Sequence, residues 1–202
     1  INIIGVLVII TLLLSNAMGL AQSNAKRMLA YSSVSHAGYL ALIFFGANSL
    51  SLYNLAFYLF AYSLSTIGVF LTLIWVEKIK RETSFEAFKG LAKTEPIAAV
   101  ATAVSLLSMA GIPLTAGFVA KFSIFAQAMN GAAFLVLIAV IGSALSIAYY
   151  LRLIISMFFH KESSFKTSEK MSITYNIVAI FIIVAILALG IYPDLFKMQF
   201  GL

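Results

Sequence analysis

Ser108-Met109-Ala110-Gly111-Ile112-Pro113-Leu114-Thr115-Ala116-Gly117-Phe118-Val119-Ala120-Lys121 is the stretch on which the fold turns. It lies inside a long apolar tract, residues 96–127, interrupted by one charge. As a continuous helix that tract would be about 48 Å long, against a hydrocarbon layer of roughly 30 Å. Pro113 removes a backbone donor and crowds the preceding turn, while Gly111 and Gly117 permit non-helical dihedrals. The stretch therefore predicts a helix broken near 111–117. Lys121 follows the break by four residues and precedes Gly131 by ten, about 15 Å of helix, which places its ammonium near mid-bilayer.

A lysine at that depth cannot comfortably snorkel to the headgroups. Interrupted helices are where membrane transporters place ion sites, because half-helix ends and freed carbonyls need a polar setting. Desolvation also disfavours the charged form of an amine, which brings proton exchange within reach. The plainer alternative is a proline kink with a lysine turned toward a neighbouring helix's carbonyls. No carboxylate lies within an apolar span of this sequence, so no oppositely charged partner for Lys121 comes from the spans.

Composition fixes the class of protein. Of 202 residues, 62% are apolar and 10% charged, with a net charge of +6; mean hydropathy is +1.06. Soluble domains carry about 45–50% apolar and about 25% charged residues. A soluble enzyme, a nucleic-acid binder and a secreted scaffold are excluded. There are no cysteines, so thiolate zinc sites and cysteine-ligated iron–sulfur clusters cannot be built from this chain. Nucleotide and zinc-protease motifs are absent as well, and no cofactor or metal site is expected.

The expected architecture is all-α and polytopic, a single transmembrane domain. Helices are predicted at roughly 1–21, 28–46, 53–76, 96–127 (broken near 111–117), 132–159 and 172–192. The chain begins at Ile1 within an apolar run, as the C-terminal part of a longer membrane protein would. Residues 77–95 form the long polar connection, and Phe85 and Phe88 suggest an amphipathic stretch along the membrane surface. With six crossings, Lys26, Arg27, Lys78, Lys80, Arg81, Lys89, Lys93, Arg152, Lys161, Lys166 and Lys170 all fall on one face. The positive-inside rule makes that face cytoplasmic and puts both chain ends on the outer side.

His36 is the second titratable group inside the bundle, about 15 Å from the cytoplasmic end of its helix. Ser32, Ser35, His36 and Tyr39 share a helical face by spacing; Tyr58, Tyr62, Ser65 and Thr66 form a similar stripe, as do Ser143, Ser146, Tyr149 and Tyr150. Such stripes can carry protons, or they can be interhelical hydrogen-bonding seams worth about 0.6 kcal/mol a pair. His160, beside Lys161, reads as interfacial.

At three places the sequence resembles the antiporter-like subunits of respiratory complex I. Ala25 through Tyr39, AKRMLAYSSVSHAGY, is similar to that family's KR-L-AYSS-SH-GY signature. Leu107 through Phe122 resembles its LS-AGIP-T-GF-GKF motif, with Ala120 where glycine is common. Ser146 through Leu153 resembles S-YYLR, and Lys121-Phe122 together with that ending points to the subunit N branch of NADH–quinone oxidoreductase. The resemblance implies a fourteen-helix subunit with two inverted five-helix repeats, of which this chain would supply the ninth to fourteenth helices. It implies that Lys121 matches the lysine of the broken twelfth helix, which the family assigns to the outward half of the proton path, and that His36 lies in the tenth-helix motif.

By the same resemblance the chain would be a proton-translocating subunit with no redox centre of its own, with NADH, FMN, iron–sulfur clusters and quinone held on partner subunits. Its partners would be the lipid bilayer and the other membrane subunits, in a bacterial inner membrane. The residues expected to matter are Lys121 and His36 for proton transfer, Gly111, Pro113 and Gly117 at the break, and Ser32, Ser35, Tyr39, Tyr62 and Ser108 as polar support. The rivals are a subunit of a multisubunit sodium/proton antiporter or membrane-bound hydrogenase, and a purely structural membrane spacer.

Overall fold

Helical order follows from charge-free runs punctuated by polar turns. The computed structural model describes residues 3–160 and 170–196, and every regular element among them is helical. They are α1 (Ile3–Leu20), α2 (Ala25–Ala41), α3 (Ser51–Lys80), the short α4 (Leu91–Thr94), α5 (Pro96–Ala110), α6 (Ala116–Phe158) and α7 (Ile173–Ile191). A 3-10 turn, Leu42–Phe45, extends α2, and another, Phe85–Phe88, precedes α4. Five helices, counting α2 with its extension, are long and apolar enough to cross a membrane; α5 is apolar but shorter. Among the described residues the fold is all-α.

At 43 residues α6 is far longer than one crossing needs, and it is not straight. Ala132 has φ −156° and ψ 52°, outside the helical region. Lys121 Nζ donates to Ser143 Oγ at 2.9 Å, although 22 residues of straight helix would hold them about 33 Å apart. The chain therefore folds back at Ala132 into two antiparallel arms, 116–131 and 133–158. With α5 and the first arm forming one interrupted crossing, the bundle makes six passes.

Charges mark where lipid ends, not where a helix ends. α3 runs on through Glu77, Lys78 and Lys80, and its projecting turn pairs Glu77 with Lys26 of α2 at 2.9 Å. In the following connection the buried side chains turn onto the bundle while Arg81, Glu82, Glu86 and Lys93 stay exposed. Phe88 is 1% exposed and sits with Leu91 in the apolar core beside Met28, Trp75 and Tyr150. Burying that ring inside the bundle gives it denser contacts than a headgroup layer offers. Asn24 and Thr83 clasp this connection to the α1–α2 turn: Ala25 N donates to Thr83 O at 2.8 Å and Asn24 Nδ2 to Thr83 Oγ1 at 2.9 Å. Lys161 and Lys166, used in the charge count, lie outside the described residues.

Two apolar clusters divide the bundle along its length. One, at the basic end, includes Met28, Leu73, Val76, Phe88, Leu106 and Leu153. The other, toward the far end, includes Leu12, Leu42, Phe57, Ile124, Leu135 and Ile186. Of the polar residues singled out above, Tyr149 and Tyr150 belong to the first cluster and Tyr39 and Tyr58 to the second.

Candidate functional site

The break is built by caps. α5 ends at Gly111, whose φ of +85° closes a Schellman turn: Gly111 N donates to Ser108 O at 2.9 Å and Ile112 N to Leu107 O at 3.0 Å. Leu114 is also left-handed at φ 72°, and α6 begins only at Ala116. Ser108 Oγ, on α5, accepts from Gly117 N at 3.1 Å and so satisfies one of the open donors of α6. The two backbones approach so closely there that a Cβ on Gly117 would overlap the Ser108 carbonyl. Pro113 is exposed on the connecting loop; φ angles and caps, rather than its ring, face the site.

Lys121 lies one and a half turns into α6 and is 4% exposed. Its Nζ donates to Ala110 O, the last carbonyl of α5, at 3.0 Å and to Ser143 Oγ at 2.9 Å. Ser143 Oγ in turn donates to Ala110 O at 3.0 Å, closing a triangle. The Tyr39 ring lies beneath the amine, 4.6 Å from Nζ to the ring centroid. None of the ion pairs identified among the described residues involves Lys121. What stands in for a counter-ion is the C-terminal end of α5, equivalent to about half a negative charge, together with the ring face.

This geometry has a chemical consequence. Both partners require Nζ to donate, since Ala110 O only accepts and the Ser143 hydroxyl proton is committed to that carbonyl. Two N–H bonds therefore anchor the amine in either protonation state. The remaining position is an N–H in the ammonium and a lone pair in the amine. A proton can come or go at that position without disturbing the anchors.

Space adjoins the amine on two sides. A small chamber of about 10 Å³ is walled by His36, Tyr58, Tyr62, Ser65, Ser108 and Lys121, close to the smallest space that holds a water. On the other side a cleft of about 330 Å³ runs between the arms of α6, with Phe118, Phe122, Val140 and Ser143 in its walls. His36 is 4% exposed, its Nδ1 2.8 Å from Tyr58 Oη and its ring 4.5 Å from that of Tyr62.

The structure brings Lys121, His36, Tyr39, Tyr62, Ser108, Gly111 and Gly117 together, but it separates Ser32 and Ser35 from them. Ser32 pairs with Tyr150 Oη, and Ser35 with Ser15 at 2.7 Å. These two serve as seams between α2 and its neighbours. His160 contacts Ser156 O at 3.2 Å at the end of α6. Sequence reasoning missed the roles of Ala110 O and Ser143 as lysine ligands, and of Asn16 as the link between Tyr39 Oη (3.4 Å) and Tyr149 Oη (3.2 Å). A carbonyl leaves no residue-type signal, and Asn16 lies in the first helix without a stripe around it. Among the described residues there is no cluster of three His, Asp or Glu able to hold a metal.

Known proteins resemble this chain in sequence and in fold. The family described as NADH:quinone oxidoreductase/Mrp antiporter, TM, matches residues 1–148. NADH-quinone oxidoreductase subunit N of Flavobacterium psychrophilum is 38% identical over 188 residues, 92% of this chain and 40% of that protein. A chain of respiratory complex I from Thermus thermophilus superposes with a TM-score of 0.81 at 33% identity, covering 95% of this chain and 44% of that one. A chain of an archaeal membrane-bound sulfane sulfur reductase gives 0.86 at 25% identity, covering 96% and 39%. The chain thus spans about two fifths of the length of these relatives. With the family model matching residues 1–148 and a relative 38% identical over 92% of its length, the chain belongs to the NADH:quinone oxidoreductase/Mrp antiporter membrane family.

Proposed function

We infer that this chain is the C-terminal bundle of a proton-translocating subunit N in a bacterial NADH–quinone oxidoreductase, and that Lys121 is its proton-loading group. The observation that carries the reading is the anchored amine: 4% exposed, held by Ala110 O and Ser143, with a cavity on either side. A cation in this position is costly unless it does something, since intramembrane charges as a rule line a pathway. Loading places the proton on the third position of Nζ; release returns it to the neighbouring space. His36, in the same chamber, is the relay next to it.

Energy comes from quinone reduction in other subunits, which also hold NADH, FMN and the iron–sulfur clusters. The partners are those membrane subunits and the lipid bilayer. The basic loops, with Lys26, Lys78 and Lys80, face the cytoplasm, and both chain ends lie on the outer side of the inner membrane. The 38% identity to a subunit N supports this over an antiporter or hydrogenase subunit of the same fold.

The test is Lys121→Ala in the intact complex, with proton uptake by vesicles and quinone reduction measured together. The expected result is pumping lost out of proportion to quinone reduction. Unchanged pumping would leave the chain a structural spacer, and sodium-dependent transport in place of proton transport would favour the antiporter reading.

A further inference from the structure

α5 is an apolar helix of 15 residues, about 22 Å long and short of the roughly 30 Å that the hydrocarbon layer spans. Lipid sets the depth of a full crossing but not of this half. Its depth nevertheless matters, since Ala110 O, the last carbonyl of α5, is a ligand of the Lys121 amine at 3.0 Å. Two hydroxyl pairs tie α5 sideways to α3: Thr102 Oγ1 donates to Thr72 Oγ1 at 2.8 Å and Ser65 Oγ to Ser108 Oγ at 2.9 Å. Both join rotatable side chains within the helix, so they resist sliding weakly.

α7 meets this segment beyond each of its ends. At the basic end, Glu95 directly precedes Pro96, the first residue of α5, and is 6% exposed; no other carboxylate among the described residues is buried. Its Oε1 accepts from Met171 N at 2.9 Å, just before the Ser172 cap of α7. A buried carboxylate needs such donors to offset its desolvation. Neither α5 nor α7 has a side-chain hydrogen bond at its own N-cap, so this carboxylate serves the positive ends of both helices. At the other end, Gly190 of α7 abuts the loop that follows α5: a Cβ there would lie 2.3 Å from Leu114 O. Leu114 holds its left-handed φ of 72° at that contact, a conformation that persists where neighbours impose it. Met171 to Gly190 on α7 and Glu95 to Leu114 on the broken crossing span the same number of residues. Between the two contacts α7 packs along α5, with Ala179, Ile182 and Ile186 buried.

We propose that α7 is a splint for the broken crossing: clipped to Glu95 at one end and wedged against Leu114 at the other, it sets the depth of α5 and so holds Ala110 O against the Lys121 amine. Glu95 and Gly190 are positioning residues in this scheme. Neither touches the amine; each fixes one end of the segment that presents its carbonyl ligand. The effect on pumping rests on Lys121 being the loading site, whereas the effect on α5 does not.

The experiment uses the intact complex and two readouts, deuterium exchange resolved along this subunit and protons pumped per quinone reduced. Glu95→Ala removes the acceptor. Exchange at the Met171 amide is expected to rise about tenfold or more, the factor that losing a hydrogen bond to a charged group allows. The Gly111 and Ile112 amides, which close the far end of α5, are expected to speed up with it, and pumping per quinone to fall severalfold. Glu95→Gln keeps an accepting Oε1 and is expected to restore all of these. Gly190→Ala displaces Leu114 and is expected to loosen Gly111 and Ile112 while Met171 stays protected; it repeats the test if Glu95→Ala fails to assemble. Gly111 and Ile112 unmoved in these variants, or glutamine no better than alanine at position 95, would overturn the splint. Exchange reads α5 and not pumping. Unmoved exchange combined with loss of pumping in Lys121→Ala therefore removes the splint and keeps the loading site, and loosened exchange with full pumping in Lys121→Ala does the reverse.

Discussion

Two of the three positions around Lys121 Nζ are fixed by the Ala110–Ser143 triangle, and this separates what the amine contributes to stability from the transport role proposed for it. Replacing it with methionine, of similar length, removes a desolvated charge and leaves the Ser143 hydroxyl still bonded to Ala110 O. Exchanging a buried charge for a well-packed apolar group is commonly neutral or stabilising. The thermal unfolding midpoint of the complex carrying Lys121→Met is therefore expected to hold or rise while pumping falls. A clear drop in the midpoint would mean that the lysine is there to hold helices together. Ser143→Ala tests the anchor: Nζ keeps Ala110 O and loses its second partner, so pumping should slow without vanishing, read as initial rate per quinone reduced. At this scale Lys121 and His36 were legible because each is a titratable side chain in an apolar run. Ser143 was legible only as one hydroxyl of a stripe. Its significance depends on the chain folding back at Ala132, which places it against a residue 22 positions earlier.

The interrupted helix is held open by backbone geometry at its two ends. Gly111→Ala puts a Cβ on a residue with φ +85° and within 2.9 Å of Lys121 Cδ. The left-handed backbone alone costs about 1–2 kcal/mol, and the contact displaces the lysine stem, so both the unfolding midpoint and pumping should fall. Pro113→Ala should change either one little, because Pro113 sits exposed in a loop that the Gly111 cap already defines. If Pro113→Ala proved the more damaging of the two, the break would owe its existence to the proline after all. The location of the interruption was readable from Gly111, Pro113 and Gly117, since all three oppose helix. Their division of labour was not readable, because it depends on which backbone faces which. Gly117 matters through its contact with Ser108. The end of α3 escaped the sequence for a different reason: hydropathy falls at Glu77, yet helix hydrogen bonding continues in water as far as Lys80.

Across the whole bundle, two apolar clusters take in the buried tyrosines, and residues 111–115 lie outside regular helix between α5 and α6. Backbone N–H groups outside regular helix exchange more readily than those inside it. In deuterium exchange on the complex, amides of 111–115 should take up label faster than those of α5 and the first arm of α6 on either side, despite their depth. Uniform protection through all three segments would contradict a flexible break. The expectation of six passes rests on composition, and that of their orientation on the placement of charges alone. Composition does not say which core Phe88 joins: its ring is buried beside Met28 and Trp75, in a connection that Asn24 and Thr83 clasp to the α1–α2 turn.

The hairpin at Ala132 bears on biogenesis. A lone lysine emerging from a translocation channel into lipid carries a penalty of about 2.5–3.5 kcal/mol on insertion scales. Because Ser143 arrives only 22 residues later on the returning arm, the two arms can partition as one folded unit, with the amine already ligated when it meets the acyl chains. Lengthening the tip at Ala132 with flexible residues would uncouple the arms, and membrane integration of the subunit should then become sensitive to the charge at position 121.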